Sequence, residues 1–375
     1  MSGPSRVGRA PLLALGALSL LGALYGGLMR LNWGLLPLQP LADFHGALMV
    51  AGFLGTLIGL ERAVAANRAW AYLAPAFSGA GGLALAAGFG EAGAALAAFG
   101  AGVLLAIFAG LLAKRFSQHL FTMALGAAAL LGGNLLLLFR RPVYHAAYFW
   151  AAFLVLTIWG ERLELARLRR PGAFAQAAFA GATLLLAAGL ALSTVRFMPG
   201  ARVTGAAFLA LTLWLARYDV AWRTVRLPGL TRYIAVCLLS GYFWLGASGL
   251  LVLVFGGVVS GPRYDAILHA LFLGFVFSMI FGHAPVILPA VLGIPAPFRG
   301  WLCYGQLAFL HLSLGVRLAG DLLLSFPLRH WGGLMNVAAL LAFFVGTAWS
   351  ALAGAPRGGA PGPQPTPPVE RATGS

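Results

Sequence analysis

Acidic side chains are scarce in this sequence: nine Asp and Glu face 25 Lys and Arg across 375 residues, and charged residues of both signs make up only 9% of the chain. A folded domain in water carries far more charge than that on its surface, so a soluble globular protein is excluded. Cysteine is nearly absent. Cys237 and Cys303 both sit inside apolar runs, which excludes a disulfide framework and any CxxC zinc or redox motif. Neither GxxxxGK[ST] nor a strand-led GxGxxG occurs, so no phosphate loop is expected. The net charge of +16 is spread thinly between apolar segments, with no basic stripe and no aromatic RNA-binding motif. No nucleic-acid partner is therefore expected.

What fills the chain instead is apolar: 61% of residues are hydrophobic and the mean hydropathy is +0.89. Such a chain uses the lipid bilayer as its solvent, and the expected fold is an all-α polytopic membrane protein. Apolar runs near the ~20 residues of a spanning helix occur at 11–29, 44–60, 71–90, 94–113, 119–138, 143–160, 174–193, 204–216, 233–258, 264–290, 301–320 and 331–352, with 204–216 the shortest. This predicts about 12 spans in one transmembrane domain over 1–352, followed by a Gly- and Pro-rich tail, 353–375, expected to be disordered. Arg6 and Arg9 before the first run resemble a signal peptide, yet no small-residue cleavage site follows, so an uncleaved first helix is expected. Alternate connections divide the Lys and Arg 17 to 8, which predicts both termini on the cytoplasmic side. The 51 glycines, including the pairs Gly22 with Gly26 and Gly55 with Gly59, read as close helix packing.

Seven histidines stand out, because an ionisable or metal-ligating side chain is costly in a span and usually faces the interior. His45, His145 and His269 begin spans 2, 6 and 10 at a similar depth near the outer face. Spans 2, 6 and 10 are four apart, so the chain reads as three four-helix units, at about 11–113, 119–217 and 232–352, around a pseudo-threefold axis. Local sequence agrees in part: Phe44-His45-Gly46-Ala47 leads to Gly59-Leu60-Glu61-Arg62, and Tyr144-His145-Ala146-Ala147 leads to Gly160-Glu161-Arg162, with the same His-to-Glu spacing. The third copy ends instead in Gly282-His283-Ala284-Pro285. The two Glu-Arg motifs read as local ion pairs at the inner membrane surface, with proton entry as the alternative.

Twelve helices with histidines on spans 2, 6 and 10 near the outer face resemble the main subunit of the heme-copper oxidases. More narrowly, Asp43-Phe44-His45-Gly46-Ala47-Leu48-Met49 and His269-Ala270-Leu271-Phe272-Leu273-Gly274-Phe275, with the later Gly282-His283, are similar to the NnrS family. Its members are heme- and copper-containing membrane proteins associated with nitric oxide and denitrification. The resemblance implies a bacterial inner-membrane protein that clamps heme b between His45 and His269, with copper as a second metal. It further implies a role in electron transfer or nitric oxide response, with an electron-transfer partner. The departures are specific. No histidine lies in 174–193, where oxidases carry a copper-binding pair, and Leu271 stands where they have a second histidine on span 10. Ala47 and Leu48 stand where many NnrS-type sequences carry a second His and a Glu. A complete oxidase or nitric oxide reductase is therefore not expected.

The residues also argue for themselves. Bis-imidazole ligation of heme b needs two neutral histidines at one depth on facing helices, small residues to admit the ring and apolar ones to cover it. His45 with Gly46 and Gly52, opposite His269 with Phe272 and Gly274, supplies that set, and Met49 is a further, thioether candidate. A metal site built from His45, His145 and His269 competes with it, as do interior histidines that only hydrogen-bond across helices. His283 falls on the face of His269 by α-helical spacing, where it would ligate a second group or relay protons. A secondary transporter with histidines lining a substrate or proton path is the alternative function, although the repeats run parallel and spans hold almost no acids. His119 and His330 are expected at solvated membrane edges.

Overall fold

In the computed structural model, which describes residues 7–166, 172–292 and 298–354, the long apolar runs wind into helices and no strand forms among the described residues. Lipid leaves little choice, since each backbone N–H and C=O in a lone segment must find its partner within that segment. In chain order these are α1 (Ala10–Arg30), α2 (His45–Ala66), α3 (Leu73–Ala86), α4 (Gly90–Lys114), α5 (Gln118–Leu138) and α6 (Val143–Ala166). After the connection follow α7 (Ala173–Val195), α8 (Phe197–Tyr218), α9 (Gly229–Phe255), α10 (residues 261–292), α11 (Gly300–Leu322) and α12 (Phe326–Gly354). The predicted tail from 355 on, with Arg167, Arg169 and Arg170, lies outside the described residues.

Eleven of these helices are long and apolar enough to cross a membrane, and the protein is an all-α polytopic membrane protein. The third predicted span is the exception. Where 71–90 was expected, α3 has 14 residues, preceded by a 3₁₀ turn at Ala69–Tyr72. At about 1.5 Å per α-helical and 2.0 Å per 3₁₀ residue the two together reach ~29 Å, just enough for a ~30 Å hydrocarbon core. A Cβ on Gly81 would lie 2.8 Å from the Ala97 backbone nitrogen, so glycine is what lets α3 and α4 pack this closely. Gly55 and Gly59 likewise lie against Ser78 and Pro75 of α3. The eighth span departs the other way: the expected 204–216 is a 22-residue helix, because Pro199 fits the first turn of α8 and Gly200 lies against the backbone of Ser193.

Burial ranks the helices. Within their most apolar stretches α6 is 78% buried, α2 72% and α10 56%, whereas the remaining spans are at 50% or less. The three helices that carry His45, His145 and His269 therefore form the centre, wrapped by the others. Two of them share a rarer feature. Leu48–Leu54 in α2 and Ala270–Phe277 in α10 are wound as π-helix, directly after His45 and His269. Such winding is uncommon and concentrates at functional sites. α6 has no such stretch after His145.

Candidate functional site

The imidazoles of His45 and His269 face each other with ring centres 6.5 Å apart and planes 20° apart. Eight residues further along each helix, Phe53 and Phe277 stack at 6.4 Å and 16°. The two helices thus keep one spacing and one phase through their π-wound stretches.

Each histidine is oriented by its Nδ1. Nδ1 of His45 lies 2.6 Å from the carbonyl oxygen of Ala23 in α1, a carbonyl it reaches because Gly27, one turn on, has no side chain in the way. Nδ1 of His269 lies 2.9 Å from the backbone oxygen of Asp265. A nitrogen that faces a carbonyl must carry the proton, so in both rings Nε2 is left with its lone pair free. Among the described residues neither Nε2 has a protein partner.

Both rings line one mostly apolar cavity of about 110 Å³, below the range of sites that hold cofactor-sized ligands, so a macrocycle would have to part its walls. Gly27, Gly46 and Gly333 keep the walls thin, while Trp150, Phe272 and Phe277 supply flat apolar surface. Met49 lines it too. Trp150 is fixed from behind: its Nε1 donates to Asn134 Oδ1 at 3.0 Å, and Nδ2 of Asn134 donates to the Ala97 carbonyl at 3.0 Å. Above the histidines the lining turns polar, with Arg30, Asp43, Asp265, Arg317 and Arg329 around the mouth. Arg317 clasps Asp265 through two bonds of 2.9 and 3.1 Å, and Arg329 Nε lies 3.1 Å from Asp321. The site is an apolar slot under a mouth of paired carboxylates and guanidiniums, with Arg30 donating to the Ala42 carbonyl.

The other predicted residues go elsewhere. His145 is not part of the cavity wall; its ring packs on Tyr144 and Phe197 at 4.6 and 5.0 Å. The His45, His145, His269 metal cluster does not form, and no group of three or more His, Cys, Asp or Glu is arranged for a metal ion among the described residues. His283 hydrogen-bonds the Met279 carbonyl at 2.7 Å, and its charged neighbours are Glu61 and Arg162 near the inner helix ends. The α-helical register that put it on the face of His269 fails because eight π-wound residues intervene. His119 is buried and so is not the solvated edge residue expected, whereas His330, near the start of α12, is half-buried and stacks on Trp33 at 3.9 Å.

The Glu-Arg motifs are joined across helices. Arg62 donates to Glu61 at 2.8 Å and also to Glu161 of α6 at 2.5 Å, so one guanidinium ties α2 to α6. Arg162 pairs with the fully buried Asp219 through bonds of 2.8 and 3.1 Å. Asp219 and Arg317 were not read as site residues from the sequence. An arginine inside an apolar span is itself the signal that would have found Arg317.

A family model described as "Domain of unknown function (DUF8744)" matches residues 9–352. The chain belongs to this family. The match runs through all twelve helices and so takes in both histidines and the arginines of the mouth. No curated protein matches the chain.

Proposed function

We propose that this DUF8744 protein binds one heme b between His45 and His269 and passes single electrons through it, in the manner of the NnrS-type and oxidase-type proteins its motifs resemble. The facing imidazole pair carries the reading. Two metal–imidazole bonds of about 2 Å, with the ring radii added, require ring centres about 6.4 Å apart, against the 6.5 Å between His45 and His269. The donors suit the group: two free Nε2 lone pairs, glycines that make room, aromatic faces for the macrocycle and guanidiniums where its carboxylates would emerge.

When bound, heme supplies a reversible one-electron couple. The chain's own residues do the rest. His45 and His269 would hold the group through their Nε2 atoms, and with both donors engaged it would supply electron transfer rather than capture of a gas. Ala23 and Asp265 hold the two rings in the tautomer that leaves Nε2 basic. Trp150, Phe272 and Phe277 exclude water, and Arg30, Arg317 and Arg329 offer charge-assisted bonds to carboxylates. The setting is a bacterial inner membrane, with both termini cytoplasmic and the site in the outer half of the bilayer.

The test is an absorption spectrum of protein made with ample heme and purified in detergent. The expected result is a low-spin Soret band that His45→Ala and His269→Ala each abolish while His145→Ala leaves it largely intact. A wild-type protein with no Soret band overturns the reading.

A further inference from the structure

We infer that Asp265 is a positioning residue that makes the two axial imidazoles electronically unequal and lowers the reduction potential of the heme through His269. This rests on the heme reading above. The observation is an asymmetry between the two histidines. Nδ1 of His45 meets only a neutral carbonyl, that of Ala23 at 2.6 Å. Nδ1 of His269 meets the backbone oxygen of Asp265 at 2.9 Å and, in addition, its carboxylate Oδ1 at 3.3 Å. One residue thus presents both a carbonyl and an ionised group to the same N–H.

A carboxylate beside Nδ1–H draws the proton toward itself and raises the electron density at Nε2, which makes the imidazole a stronger donor. A stronger donor stabilises the oxidised metal more than the reduced one, so the potential falls. The electron that reduces the iron comes from the redox partner, and no proton need leave His269.

The surroundings keep the carboxylate ionised and aimed. Arg317 holds both oxygens of Asp265 at 2.9 and 3.1 Å, Arg329 stands 3.9 Å from Oδ2, and Asp321 balances Arg329 at 3.1 Å. Asp321 also lies within hydrogen-bond reach of the Asp265 carboxylate. What Asp265 adds to His269 is a local, directional effect on the one ring it touches. Asp321 supplies the comparison: a carboxyl group in the same cluster, with no contact to His269 among the described residues.

The experiment is a redox titration of the heme-loaded protein, with the electron paramagnetic resonance spectrum of its oxidised form. Asp265→Asn is expected to keep the low-spin Soret band and to shift the reduction equilibrium toward the reduced form about tenfold, or about 59 mV for one electron. Its g-values should move as well, because the donor strength of one axial ligand has changed. Asp321→Asn should shift the potential less and leave the g-values in place. Should Asp265→Asn fail to hold heme, Asp265→Glu keeps the charge while displacing it and is expected to give an intermediate potential. Equal shifts from Asp265→Asn and Asp321→Asn with unchanged g-values, or no shift from any Asp265 variant that binds heme, overturn the inference while the heme assignment stands. A wild-type protein without heme defeats the underlying reading instead.

Discussion

Gly27 and His45 share one space: a Cβ built on Gly27 would lie 3.0 Å from Cε1 of the His45 ring and 3.3 Å from its Nδ1. The ring therefore occupies the volume that a side chain on α1 would fill. Gly27→Ala must push the imidazole away from the Ala23 carbonyl, at an overpacking cost of about 1–3 kcal/mol. The expected outcome is a lower ratio of Soret to protein absorbance. Gly102→Ala, where a Cβ meets nothing within 4 Å, should leave that ratio unchanged.

At the inner side the two Glu-Arg motifs separate by burial. Side chains of Arg162 and Asp219 are 4% and 0% exposed, whereas Glu61 and Arg62 are at 27% and 17%. Removing one partner of a buried pair strands the other charge, at about 3–5 kcal/mol, while a partly solvated pair contributes about 0–1 kcal/mol. Arg162→Ala should therefore lower the thermal midpoint of the detergent-solubilised protein by several times the effect of Glu61→Ala. Replacing Arg162 and Asp219 together by leucine should recover much of the loss. Equal effects from Arg162→Ala and Glu61→Ala would contradict this ranking.

Charge asymmetry across the connections predicts cytoplasmic termini. A reporter active only in the cytoplasm, fused after Leu352, should give signal, and one fused between α1 and α2 should not. The reverse pattern would move His45 and His269 to the inner half of the bilayer.

Much of the bundle was legible in the sequence. Hydropathy marked every helix, because a lipid solvent ties span and apolar length together. The common depth of His45 and His269 followed from counting spans, and the two rings do meet. Phase was harder to read. Winding over Leu48–Leu54 and Ala270–Phe277 leaves no mark in composition, and an α-helical wheel carried past Ala270 gave His283 the wrong face. The matching place of His145 at the start of span 6 likewise kept a three-histidine metal site open, yet its ring packs on Phe197 instead. Pairings such as Arg62 with Glu161 or Arg162 with Asp219 link residues far apart in the chain, where local spacing is silent. Asp265 with His269 was within reach, being a carboxylate four residues before a histidine in a helix.

Span 2 behaves as a shaft keyed at both ends. His45 fixes its outer end against α1 and α10, Arg62 fixes its inner end against Glu161, and the π-wound stretch between them sets the angle from one key to the other. Deleting a single residue between Leu48 and Leu54 would turn everything below by about 100°. The histidine could stay seated while Arg62 swung off its partner on α6. Homologous chains that differ in length inside this stretch must therefore make up the difference before the second key, or give up the clasp between α2 and α6.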